Sequence, residues 1–274
     1  MRIALCNEVI RDKPFEAQCA FAAALGYDAL EVAPFTLGDR PHRLDGAVRQ
    51  KLRRAAANAG IEIASLHWLL VAPAGLSITS GDAAVRERTL ETMRRLIDLC
   101  ADLGGRVLVH GSPAQRPVAG DDDRARGIDA FMAVAAAAEA AGVTYCIEPL
   151  ARAETGFINT VAEAADIVRR IGSPAVKTMI DCSAAGQEET LALPDLIDRW
   201  LPTGLIGHIQ VNDTNRRGPG QGEDRFAPVF AALRRNGYAG TVAVEPFDYH
   251  PDGAASVARA IGYIRGILEA QSTP

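Results

Sequence analysis

Apolar positions along this chain follow two alternating rhythms. Short runs that are apolar almost throughout give way to longer stretches in which apolar residues recur every three or four positions. The first rhythm predicts strands buried on both faces, the second predicts helices with one buried face. Strands are predicted at Arg2–Asn7, Asp28–Ala33, Ile61–His67, Arg106–His110, Val143–Glu148, Val176–Asp181, Leu205–Asn212 and Thr241–Glu245. Helices are predicted at Pro14–Leu25, Asp45–Asn58, Ser80–Gly105, Asp121–Gly142, Asn159–Gly172, Ala192–Leu201, Asp224–Gly237 and Gly253–Glu269, with Gln271–Pro274 as a tail. Pro14 at the start of the first helix and Gly26 after its end show the usual asymmetry of helix ends. Leu90, Met93, Leu96, Ile97 and Leu99 lie on roughly one face of the longest helix, and Asn159 or Thr160 caps the fifth.

Strand–helix alternation with short connections means a parallel sheet. An uninterrupted pattern over 274 residues predicts one α/β domain, residues 1–274, folded as a single (β/α)8 TIM barrel. The longer irregular segments, 34–44, 69–81, 111–120, 150–157 and 213–222, all follow strands. In a barrel they share the C-terminal face, where sites are built.

Several strands end on groups that can do chemistry. VTYCIEPL carries Glu148, VKTMID ends on Asp181, LIGHIQVND carries His208 and Asp213, and TVAVEPF carries Glu245. His67 and His110 close the third and fourth strands. Singly, each is accounted for as a hydrogen-bonded polar residue at a strand terminus. Together they converge on the barrel mouth, where carboxylates repel one another and resist ionisation unless a cation neutralises them. An oxygen-rich set with one imidazole suits Mn²⁺ best, with Co²⁺ or Mg²⁺ as alternatives.

Composition narrows the partners. Net charge is −5 with no basic block, so there is no electrostatic footprint for nucleic acid or an anionic membrane. Five scattered cysteines without a CxxC pair read as core residues rather than a disulfide framework. No apolar run reaches membrane-spanning length and the apolar N-terminal run is too short for a signal peptide. The expectation is a soluble cytoplasmic protein.

Four motifs in order, IEPL at Glu148, MID at Asp181, GHIQVNDTNRRGPGQG from Gly207 and VAVEPF at Glu245, carry a resemblance that runs from the first strand to the last helix. The chain resembles the xylose-isomerase-like TIM-barrel superfamily. Within it, it is similar to sugar epimerases of the tagatose/psicose 3-epimerase type, often labelled sugar phosphate isomerase/epimerase. The resemblance implies that Glu148, Asp181, His208 and Glu245 hold the metal, and that Glu148 and Glu245 double as an acid/base pair. It implies that Glu154 binds a sugar hydroxyl and Arg216 contacts sugar oxygens. It also implies a small-molecule sugar substrate and a homodimer or homotetramer. The implied reaction is ketose 3-epimerisation through a metal-stabilised enediolate.

There is one departure. The family's usual histidine three residues after the metal aspartate is Ala184 here. His67 and His110 are candidates to supply the missing contact with substrate, and Trp68 is a candidate apolar wall for the sugar. A lyase of the C-glycoside-cleaving type would use the same metal and carboxylates. An endonuclease IV-like enzyme would match His67 and His110, but Ala184, the missing Asp-x-His pair after Gly222 and the lack of a basic face oppose it. A non-catalytic sugar-binding barrel would need no paired bases. His42 and His250 are expected in solvent, and the acidic run 121–124 at a helix start. Asp213 and Asp224 suit turns or a metal's water shell. Arg152 and Arg217 could meet a phosphate, but no glycine-rich phosphate loop accompanies them.

Overall fold

The structure, a computed structural model, describes residues 1–272. Residues 273 and 274 of the expected tail lie outside the described residues. Eight parallel strands close into a barrel in sequence order: β1 (Arg2–Cys6), β2 (Ala29–Val32), β3 (Glu62–Leu66), β4 (Val107–His110), β5 (Thr144–Ile147), β6 (Val176–Asp181), β7 (Ile206–Val211) and β8 (Thr241–Val244). The helices are α1 (Phe15–Leu25), α2 (Gly46–Asn58), α3 (Ala83–Leu103), α4 (Asp121–Ala141), α5 (Val161–Ile171), α6 (Cys182–Glu188), α7 (Leu193–Trp200), α8 (Phe226–Arg235) and α9 (Gly253–Ala270). The chain is therefore a (β/α)8 barrel, as its alternation predicts. Among the described residues no helix is long and apolar enough to cross a membrane.

Local chemistry sets the element ends. Pro14 and Asp45 turn out to be N-caps rather than first helical residues, and the Asp45 side chain accepts the Val48 N–H. Thr160, not Asn159, caps α5, in a capping box with Glu163. Asn159 instead spends its amide on the Leu150 and Thr155 carbonyls, at 2.7 and 2.8 Å, which ties down the β5–α5 loop. Helix α6 was not expected. It follows β6 with no connector, because the Asp181 side chain accepts the Ala184 N–H at 2.7 Å and starts the helix at once. His42, expected in solvent, is buried within a short 3₁₀ turn, while His250 is exposed as expected.

Side chains of a strand alternate between the barrel interior and the helix layer. The outward set packs Leu5, Leu30, Leu108, Tyr145, Ile180 and Ile209 under the helices. The inward set is smaller: Ala4, Cys6, Ala29 and Ala243 on one side, and Val109, Cys146 and Met179 on the other. The alanines of β1, β2 and β8 leave room inside for polar side chains. Two register pairs set the levels: Met179 lies beside His208, and Asp181 lies beside Gln210.

Candidate active site at the C-terminal mouth

Alternation turns the chain's acidic strand ends inward. Cys146 and Met179 face the barrel interior, so Glu148 and Asp181, two residues further on, face it too, one level nearer the mouth. Ala243 places Glu245 in the same way. Carboxylate oxygens of Glu148, Asp181 and Glu245 all lie within 4.8 Å of one another, and all three residues are buried. Gly111, at the exit of β4, makes this approach possible. A Cβ there would stand 1.6 Å from Glu148 Oε2, so any larger residue would displace the carboxylate.

The three acids are held differently. Asp181 Oδ1 accepts the Ala184 N–H and Oδ2 accepts Asn212 Nδ2, both at 2.7 Å. The same Asn212 nitrogen donates to the Glu245 carbonyl at 3.0 Å, tying β6 to β8 across β7. Glu245 Oε1 accepts from His67 Nδ1 at 2.8 Å and Trp68 Nε1 at 3.0 Å, and Oε2 has no partner. Glu148 is anchored through its backbone: the Arg116 guanidinium, fully buried, donates to its carbonyl at 2.8 Å.

Burial and crowding act in the same direction on these acids. Burial, then the charges of Glu245 and Asp181, push Glu148 well above the usual carboxylate range. Burial pushes Asp181 up to about 6 despite its hydrogen bonds from Ala184 and Asn212. Burial pushes Glu245 up to about 8, with the bond from His67 opposing and the charges of Asp181 and Glu8 adding. Three buried acids that destabilise one another's charge, with a spare oxygen on Glu245, fit a divalent cation.

Next to them, His67 bridges two acids. Its Nδ1 bonds Glu245, and its Nε2 lies 2.9 Å from Glu8 Oε2. Burial works against charge on this ring, but Glu8 and Glu245 outweigh it and raise its pKa well above the ordinary imidazole value. His67 is thus committed to orienting Glu245. Trp68 adopts a left-handed backbone (φ 51°), and its ring meets Phe247 edge-on at 6.3 Å. Arg216, also left-handed (φ 71°), lies over the Phe247 ring at 4.7 Å and pairs with Glu154 at 3.2 Å. The two residues expected to bind sugar oxygens therefore meet at the rim.

Two expected site residues are not brought to the mouth. His110 is followed by mouth-facing Gly111 and preceded by interior Val109, so alternation turns it outward. Its ring packs edge-on against Phe131 of α4 at 5.0 Å and its Nδ1 meets the Tyr145 hydroxyl at 2.7 Å. Burial and the nearby Arg116 push its pKa down to about 3, so it stays neutral. His208 faces inward but one level too deep, beside Met179 rather than Asp181. Its Nε2 stands 2.7 Å from Glu31 Oε2, and it is not in the carboxylate group. It borders a cavity of about 380 Å³ at the opposite end of the barrel, shared with Ser65, Gly207 and Thr241.

The xylose isomerase-like TIM barrel family matches residues 19–267. The chain belongs to that family. It is 33% identical over 236 residues to the D-psicose 3-epimerase of Agrobacterium fabrum, covering 82% of this chain and 76% of that one. It is 31% identical over 202 residues to the L-ribulose 3-epimerase of Mesorhizobium japonicum, covering 72% and 65%. A solved D-psicose 3-epimerase in the presence of D-fructose is 25% identical and superposes with a TM-score of 0.82 over 98% of this chain and 99% of that one. These relatives are epimerases, which places the chain among isomerase-class enzymes.

Several residues that build the site carry no strong signal in the sequence. Gly111, Arg116 and Asn212 matter through close approach or single hydrogen bonds across strands. Glu8, just past β1, was findable as one more acid at a strand exit. Asp213 and Asp224 take turn roles: Asp213 accepts from the Asn215 and Asp224 N–H groups, and Asp224 accepts from Thr214. Arg152 and Arg217 pair with Glu188 and Asp248.

Proposed function

We propose that the chain is a ketose 3-epimerase. One observation carries this reading: two buried glutamates, Glu148 and Glu245, enter the mouth from strands three positions apart around the ring, beside Asp181. The relatives' activities support it. A divalent cation held by Glu148, Asp181 and Glu245 would polarise a carbonyl and offset negative charge on substrate oxygens. Mn²⁺ or Mg²⁺ suits three carboxylates. The five cysteines are free and buried, which suits the cytoplasm.

Epimerisation needs one base to take the C3 proton and one acid to return a proton to the opposite face. Glu148 and Glu245 approach from different sides, so each addresses one face of a carbon between them. In the proposed cycle one carboxylate starts charged and the other starts protonated. The proton leaves C3 for the charged carboxylate, and the protonated partner delivers its own. The reverse reaction starts from the exchanged state. His67 and Trp68 fix Glu245 Oε1 and leave Oε2 to act. Trp68 and Phe247 offer an apolar wall, and Glu154 with Arg216 offers a polar rim for the sugar hydroxyls.

The reading is tested by incubating the protein with D-psicose in D₂O and following the products by NMR. The C3 epimer with deuterium at C3 is expected. Label at C1 alone would mean an aldose–ketose isomerase, and no label would remove the proposal.

A further inference from the structure

Strand β7 presents two inward side chains near the carboxylates, and only one is at their level. We propose that Gln210, through Oε1, completes the cation site, which makes it an all-oxygen site. This rests on the epimerase reading only in taking Glu148, Asp181 and Glu245 as ligands.

Gln210 is the register partner of Asp181 on the neighbouring strand, so the two side chains leave the barrel wall at the same height. His208 is the partner of Met179, one level down. Both β7 side chains meet the same carboxylate from above and below: Gln210 Nε2 donates to Glu31 Oε1 at 2.7 Å, and His208 Nε2 stands 2.7 Å from Glu31 Oε2. The bond to Glu31 fixes which end of the amide is nitrogen, since an oxygen there would face a carboxylate. That leaves Gln210 Oε1 as a fully buried acceptor with no donor. A buried carbonyl oxygen without a partner, level with three acids, is the fourth ligand the trio lacks. Removing imidazole from the set shifts preference toward hard cations, because nitrogen ligands favour the later transition metals.

Pulsed EPR of Mn²⁺ bound to the wild-type protein reads this directly. No ¹⁴N coupling from a directly bound imidazole is expected, and Gln210→His should introduce it. Mn²⁺ affinity by calorimetry should fall at least about tenfold in Gln210→Leu. Imidazole coupling in the wild type that disappears in His208→Gln would overturn the inference, as would unchanged affinity in Gln210→Leu. Deuterium exchange at C3 by the same wild-type preparation keeps the two readings apart. Exchange with imidazole coupling sinks only the role of Gln210, whereas failure to bind Mn²⁺ sinks the cation site as a whole.

Discussion

Glu31 and Glu245 both face the barrel interior, and both lie near the same imidazole nitrogen, 3.9 and 2.8 Å from His67 Nδ1. They behave oppositely. Glu245 is pushed up to about 8, whereas Glu31 is held far below the usual carboxylate range. Burial raises both; the difference lies in the company each keeps. Glu31 is surrounded by His208, the Ser65 hydroxyl, Gln210 Nε2 and the Cys6 thiol. Glu245 shares its space with Asp181, Glu148 and Glu8, and leaves one oxygen unpartnered. One acid is satisfied by protein donors and serves the fold. The other is left short of positive charge, which is the condition for holding an ion and moving protons.

The sharpest break in this comparison is in turnover. Glu148→Gln or Glu245→Gln should each lower kcat by about 10²–10⁴, the range for general acid–base residues, with the circular dichroism spectrum unchanged. Full activity in either variant would remove its role. The complementary break is in stability. Glu31→Gln removes the carboxylate that His208, Ser65 and Gln210 share and should cost about 1–3 kcal/mol in urea unfolding. In the chelator-treated protein, Glu148→Gln should instead stabilise by about 1 kcal/mol, because it relieves a repulsion. Equal effects of the two substitutions would erase the distinction.

pH gives a gentler test. In the metal-free protein, Asp181 and Glu245 contribute stability that is fully present below their unfolded values, near pH 4. That contribution is lost as pH rises through about 6 and then about 8. The melting temperature of chelator-treated protein should therefore fall across that window, and added Mn²⁺ should flatten the fall. A flat profile without metal would contradict the crowding of the three acids. The smallest effect is expected at Trp68. Trp68→Phe removes one donor from Glu245 and should lower kcat/KM ~10-fold, the worth of one hydrogen bond to a charged group. A rise in KM alone, with kcat unchanged, would make Trp68 a wall for the sugar and nothing more.

The barrel was legible because its strands and helices differ in hydrophobic period; β6 has its predicted bounds, and every other strand is shorter than predicted by one residue at one or both ends. Asp181 explains why α6 was not: one side chain ends a strand, caps a helix and faces the other acids, so no connector marks the boundary. The trio was legible because acids at the exits of β5, β6 and β8 stand out against apolar runs. What misled was treating every strand-end histidine alike. Interior parity, read from Val109 for β4, turns His110 away. His208 has the right parity but the wrong height, and height depends on register between strands, which a bulge between Thr178 and Met179 shifts. The bonds that hold Glu245, from His67, Trp68 and Asn212, link residues far apart in the chain and leave no local pattern.

The most direct test of a cation site made by mutual crowding is a calorimetric titration of chelator-treated wild type and Asp181→Asn with Mn²⁺. The wild type should bind one ion per chain, and the variant should bind at least about tenfold more weakly while keeping its fold. No binding by the wild type, or equal binding by both, would contradict the account.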